Sequence, residues 1–262
     1  MVDKRTLLRS SGGGLVSTLV DEGVAVICPD LRGHGTSGPM ASEGGRWSYD
    51  DLVDYDVPAL IGLARRRFPT LPLVAVGHSL FGHVTVAHLA KHNPRAVDGV
   101  ALLACNVGSR SWLGLPLSDA LGSSLIALMA ASTLPFGRFP TRLLGLGNTD
   151  EAQPYIFDFV RWVQRNDWVA RDGFSYRDAC ARIQVPVAAW VGAGDRLFSR
   201  PAAAEAFLKW IDPTKRARVV GRHTGLSFDP GHMELATDRR CEAVWREVGR
   251  FVRTVGASRP AG

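Results

Sequence analysis

The sequence predicts an α/β fold, a mostly parallel sheet with helices on both faces and a helical segment inserted late in the chain. Three observations predict it. Short apolar, β-branched runs alternate with amphipathic stretches at intervals of a βα unit. Several of these runs end in loops punctuated by glycine. The alternation then lapses between residues 106 and 183 into helical segments alone.

The elements follow in order. Residues 15–22 have helical spacing and lead into residues 23–28, Gly-Val-Ala-Val-Ile-Cys, whose continuous apolar character predicts a buried parallel strand. A glycine-rich loop follows over residues 29–38. Ser48 is placed to cap a helix running to about Arg67, with Leu52, Val53, Val57, Leu60, Ile61 and Leu63 recurring at helical spacing. Residues 71–76 form the next strand, and the helix after Ser79 runs to about His92, stopping before Pro94. Residues 97–105, 186–191 and 216–220 supply further strands, with helices over 201–210 and 238–255. Residues 151–172 are expected to be helical, with Ile156, Phe159, Val160 and Val163 on one side. The whole chain, 1–262, is read as one domain with a helical cap inserted at about residues 107–183.

Composition narrows the function classes. A chain of 262 residues that is 46% hydrophobic can bury a substantial core. The net charge of +6 comes from arginines scattered along the chain, without basic runs or interleaved aromatics, so no nucleic-acid partner is expected. Cys28, Cys105, Cys180 and Cys241 lie far apart with no CxxC pair, which predicts reduced thiols, no metal site and a cytoplasmic location. Residues 120–136 are apolar and uncharged, yet short for a span and interrupted by Gly122, Ser123, Ser124, Ser132 and Thr133. They are expected to form a cap helix over a substrate pocket rather than to cross a membrane.

The chemistry centres on Gly77-His78-Ser79-Leu80-Phe81-Gly82, which places Ser79 where a strand turns into a helix. A serine hydroxyl is a weak nucleophile at neutral pH. It needs a histidine base and backbone N–H groups beside it to stabilise an oxyanion, and a sharp elbow gives it access to both. The base needs a carboxylate to hold its tautomer, and in parallel sheets such groups sit past the carboxyl ends of strands. Asp195, in Gly192-Ala193-Gly194-Asp195, follows one strand, and His232, in Gly231-His232-Met233-Glu234, follows the last. His223 is the competing base, 28 residues beyond Asp195 against 37 for His232.

These four segments, Pro29-Asp30-Leu31-Arg32-Gly33-His34-Gly35-Thr36-Ser37-Gly38, Gly77-His78-Ser79-Leu80, Gly192-Ala193-Gly194-Asp195 and Gly231-His232-Met233-Glu234, resemble the α/β-hydrolase fold family from about residue 15 to the C-terminus. The resemblance implies a serine hydrolase of the esterase or lipase kind. Ser79 would be the nucleophile, Asp195 the acid, His232 the base and the Leu80 amide an oxyanion donor, with no cofactor. His232 matches the family better than His223 in local sequence, residues 225–229 reading as a loop extension. The expected substrate is an apolar acyl compound cleaved through an acyl-enzyme. An acyltransferase using the same triad, or an inactive scaffold, is the alternative.

Two departures from the family stand out. Members carry a His-Gly pair about 27 residues before the aspartate equivalent to Asp30, closing a strand whose loop donates the second oxyanion N–H. That position falls near Asp3, so the expectation is an N-terminally truncated chain whose sheet leaves two edges unpaired. Phe81 occupies a position that is normally small, with Gly82 left to provide clearance; its ring would line a pocket, disturb the elbow or be tolerated.

The remaining candidates are given structural readings. His88 and His92, four apart, are expected on a solvated helix face rather than on a metal; Arg32 and His34 are expected to brace their loop. His78 is expected to pack or hydrogen-bond, Glu234 to orient its loop or cap the final helix, and Trp112, Trp162 and Trp168 to fill core.

Overall fold

The computed structural model describes residues 14–107, 118–145 and 147–258. In chain order its main elements are α1 (Leu15–Asp21), α2 (Val57–Arg67), β1 (Val74–His78), α3 (Leu80–Lys91), β2 (Gly99–Leu103), α4 (Ser118–Thr133), β3 (Arg138–Phe139), β4 (Glu151–Ala152), α5 (Gln153–Arg165), β5 (Val187–Gly192), α6 (Pro201–Ile211), β6 (Arg218–Val220) and α7 (Glu242–Ala257). The sheet order is β1-β2-β5-β6, parallel throughout, with Val76 opposite Ala101, Leu102 opposite Ala189 and Val191 opposite Val219. β2 is buried along its whole length, as a strand covered on both faces requires.

Each face of the sheet has its own core. On one side Val84, Leu89, Val100, Leu102 and Phe207 pack with the aromatic group of Tyr49, Trp162, Trp168 and Tyr176. On the other, Leu15 and Leu19 of α1 meet Trp190, Val244, Trp245 and Val248. Glu22, at the end of α1, pairs with Arg246 and Arg253 of α7. Ser48 caps the helical stretch before α2, accepting the Asp51 N–H at 3.2 Å, and residues Leu52–Asp56 widen into a π-helical turn.

Residues 23–28 do not form the predicted strand. Val24 donates its N–H to Leu19 C=O at 3.0 Å, and residues 24–28 are assigned to no strand. Among the described residues no strand lies beside this segment: a cavity of about 370 Å³ separates it from β1, lined by Val24, Val26, Val74, Val76, His78 and Phe81 among others. β1 is therefore the outermost strand of the described sheet. Ser79 N–H bonds to Leu103 C=O and Asp98 N–H to Leu73 C=O, so the alternate residues Val74, Val76 and His78 point their backbone groups into that cavity.

The segment between β2 and β5 has a small core of its own, Ile126, Phe139, Ile156 and Val160. The helix predicted over residues 151–172 is shorter, ending at Arg165 where Asn166 adopts a left-handed conformation. Trp162 and Trp168 are fully buried, and Trp112 lies outside the described residues. No helix among the described residues is long and apolar enough to cross a membrane. Buried polar contacts tie the insertion to the sheet layer: Tyr49 N–H donates to Asp158 Oδ2 at 3.0 Å, Arg171 Nε meets Asp158 Oδ1 at 2.8 Å, and His34 Nε2 lies 3.1 Å from Glu151 Oε1.

Burial opposes a charge on His34, but the hydrogen bond and charge of Glu151 outweigh it and raise the imidazole pKa above its ordinary value. A raised folded-state pKa contributes stability below the unfolded value of about 6.5, and that contribution is lost as pH climbs through the folded value. Glu151→Gln should therefore lower the urea midpoint more at pH 6 than at pH 9. Equal losses at both pH values would show that the pair contributes no proton-linked stability.

Candidate active site

Ser79 sits between β1 and α3 with φ 52° and ψ −121°, a conformation that a non-glycine residue holds only under constraint. The constraint is a close crossing of strand and helix. A Cβ on Gly77 would overlap the backbone of Gly82, and one on Gly82 would overlap the Cys105 thiol. The residue that must be small is therefore Gly82. Phe81 points away from this crossing, packs at the margin of the core and lines the cavity beside β1. The Cys105 Sγ lies 3.3 Å from each of the Gly77, Ser79 and Leu103 carbonyls and braces the elbow from below, and burial pushes the thiol up to about 12.

Three side chains from three loops meet at this point. His232 Nε2 lies 2.9 Å from Ser79 Oγ, and His232 Nδ1 lies 2.7 Å from Asp195 Oδ2. Asp195 is 2% exposed. Burial works against its charge, yet the His232 hydrogen bond and the N–H groups of Ser199 and Phe198, each 3.0 Å from Oδ1, hold the carboxyl below the usual range. An ionised Asp195 accepts from Nδ1–H, which leaves Nε2 free to accept from the serine hydroxyl. The Leu80 N–H, first of α3, donates to no acceptor among the described residues and opens beside Ser79.

The loops of Asp195 and His232 are held together by the Gly194 N–H to Pro230 C=O bond at 3.0 Å, and the Glu234 carboxylate accepts the Gly231 N–H at 2.7 Å. Glu234 thus orients its loop. His223 is exposed in a 3₁₀ turn away from this cluster, so the histidine brought to Ser79 is His232. The other candidates sit elsewhere. His88 Nδ1 is 2.8 Å from Val53 C=O and His92 Nε2 is 2.6 Å from Asp54; His34 is buried between Arg32 C=O and Glu151, and Arg32 pairs with Asp56.

Sequence reasoning missed the amides of Phe198 and Ser199 and the thiol of Cys105. A backbone amide carries no signature in sequence, and a lone cysteine gives no spacing to read. Gly82→Ala should lower stability by about 1 to 3 kcal/mol as an overpacking change, and Cys105→Ala in the same chain should recover much of that loss. Thermal melts of both variants check this, since additive losses would place the two residues out of contact.

Comparison with known proteins bears on the family and the fold. The family profile of serine aminopeptidase, S33, matches residues 12–151, just over half of the chain. A monoacylglycerol lipase of Mycolicibacterium smegmatis is 38% identical over 72 residues, 27% of this chain, and the match spans about a quarter (24%) of that lipase. Among solved structures, a monoacylglycerol lipase of Paleococcus ferrophilus superposes with a TM-score of 0.58 at 16% identity, over 92% of this chain and 88% of that one. A thermophilic esterase from Thermogutta terrifontis gives 0.58 at 18% identity, over 97% and 87%. At such identities the structural likeness speaks for the fold. By profile and by fold, the chain belongs to the serine aminopeptidase S33 family of α/β-hydrolases.

Proposed function

We propose that the protein is a serine hydrolase that cleaves a carboxylic ester, or a related acyl compound, through an acyl-enzyme on Ser79. The observation that carries this reading is the unbroken chain of contacts from Ser79 Oγ to His232 Nε2 and from His232 Nδ1 to Asp195. In the first step Ser79 Oγ attacks the acyl carbon while its proton passes to Nε2, and the imidazolium that forms is stabilised by the Asp195 carboxylate. The developing oxyanion is met by the Leu80 N–H, aided by its position at the start of a helix. Collapse expels the alcohol, which takes the proton from Nε2. Water, deprotonated by the same nitrogen, then attacks the acyl group and releases the acid, restoring Ser79.

An apolar acyl group fits the residues around the base. Leu197, Phe198 and Met233 are exposed apolar side chains next to Asp195 and His232 in sequence, and the Phe198 ring lies 5.0 Å from that of His232. The insertion after β2, read as a cap over this rim, would complete the pocket. The likeness to esterases and monoacylglycerol lipases supports the same substrate class. Free thiols at Cys105, Cys180 and Cys241, all buried, suit a reducing compartment such as the cytoplasm.

A fluorophosphonate probe should label the protein at one site, and Ser79→Ala should abolish both labelling and hydrolysis of p-nitrophenyl esters. Asp195→Asn should lower kcat by about 10³- to 10⁴-fold through loss of the productive tautomer. A folded protein that neither labels nor hydrolyses a panel from acetyl to dodecanoyl esters would overturn the enzymatic reading in favour of a binding or scaffolding role.

A further inference from the structure

The contacts between serine, histidine and aspartate leave one close neighbour without a task. His78, the last residue of β1, places Nε2 2.8 Å from the main-chain carbonyl oxygen of His232, and the two rings are 4.9 Å apart. A carbonyl only accepts, so His78 Nε2 carries the hydrogen.

The importance of this bond follows from how the loop of the base is anchored. Ser79 and His232 are 153 residues apart in sequence, and catalysis requires their loops to keep a hydrogen-bond distance. Among the described residues, the other hydrogen bonds of that loop attach it to itself, to α7 through Trp245 Nε1 and Leu235 C=O, or to the side of Asp195 and β6. Gly231 N–H bonds to Glu234, Leu235 N–H to Gly231 C=O, Gly194 N–H to Pro230 C=O, and Arg222 N–H to Asp229 Oδ1. None of these reaches the elbow. The two contacts that do are the catalytic one to Ser79 Oγ, which must break and reform in each turnover, and the one from His78.

We infer that His78 is a positioning residue: its Nε2–H grips the carbonyl of His232 and fixes the base at working distance from the neighbouring nucleophile. The inference rests on the assignment of His232 as base. Enclosure in the protein, together with the charge that His232 acquires, pushes the His78 imidazole down to about 3, with the Asp195 carboxylate acting weakly in the other direction. His78 thus remains a neutral donor throughout the working pH range and places no second positive charge beside the imidazolium of the intermediate.

Glutamine reaches a comparable distance and keeps an N–H donor, whereas leucine fills similar space and keeps none. His78→Leu should lower kcat by about 10- to 100-fold with little change in KM, the scale on which small misplacements act, and should slow fluorophosphonate labelling in parallel. His78→Gln should return most of the rate. The downfield Nδ1–H resonance of His232 should broaden or shift in the leucine variant and recover in the glutamine variant, a change that a general packing defect would not reverse. His78→Asn, whose shorter side chain cannot span the gap, replaces leucine if that variant does not fold, with the same loss expected. Full activity in the leucine or asparagine variant overturns the inference, as does equal impairment of glutamine and leucine variants that melt like the wild type. An active wild type with an indifferent His78 variant defeats this inference alone. An inert wild type, or one unaffected by His232→Ala, defeats the proposed function as well, and His78 then has no base to position.

Discussion

The close crossing of β1 and α3, where Gly77 lies against Gly82, is the constraint on which the site depends. It forces Ser79 into a left-handed backbone conformation and lifts its hydroxyl clear of the sheet. A residue so placed costs on the order of 1 to 3 kcal/mol, and the surrounding structure offsets this from several directions. The Ser79 N–H is taken by Leu103, the Cys105 thiol lies under the turn, and the apolar faces of α3 are buried between β1, β2 and the helices beneath. The same crossing sets the first N–H of α3 next to Ser79, so the proposed nucleophile and the proposed oxyanion donor come from one local geometry.

Most of this was legible in the sequence because it depends on local rules. Apolar runs gave the four parallel strands, the serine cap at Ser48 gave the start of a helix, and the loops after β5 and β6 hold Asp195 and His232, which meet near Ser79. The choice between His223 and His232 rested on local sequence, and the exposure of His223 in its own turn agrees with it. Residues 23–28 failed for a tertiary reason. Their composition suits a strand, but a strand exists only when a neighbour takes its hydrogen bonds, and no periodicity reports whether one is there. Phe81 was misleading in another way. Counting two residues beyond the serine located the usual small position, whereas the helix in this chain meets the strand one residue later, at Gly82.

Imidazoles divide into distinct groups by surroundings rather than by sequence. Burial pushes the pKa of His78 and of His83 down to about 3, so both are neutral at pH 7, while His34 faces the carboxylate of Glu151 and is shifted the other way. His83 sits against the hydroxyl of Tyr49 at 3.0 Å, inside the aromatic group that joins the insertion to α3. The histidine near Ser79 is thus surrounded by uncharged rings on the sheet side and by the single buried carboxylate of Asp195 on the other. In the proposed reaction, positive charge formed on His232 has the Asp195 carboxylate as its hydrogen-bonded partner.

That β1 closes the described sheet has a kinetic consequence. Among the described residues Ser79 rides on a strand laddered on one flank, whereas Asp195 follows β5, which is paired on both. Fraying of a sheet begins at its margin, where the fewest bonds must open. Under mild denaturant the turn that carries Ser79 should lose its register while the loops carrying Asp195 and His232 still hold, so that the Ser79–His232 contact opens ahead of global unfolding.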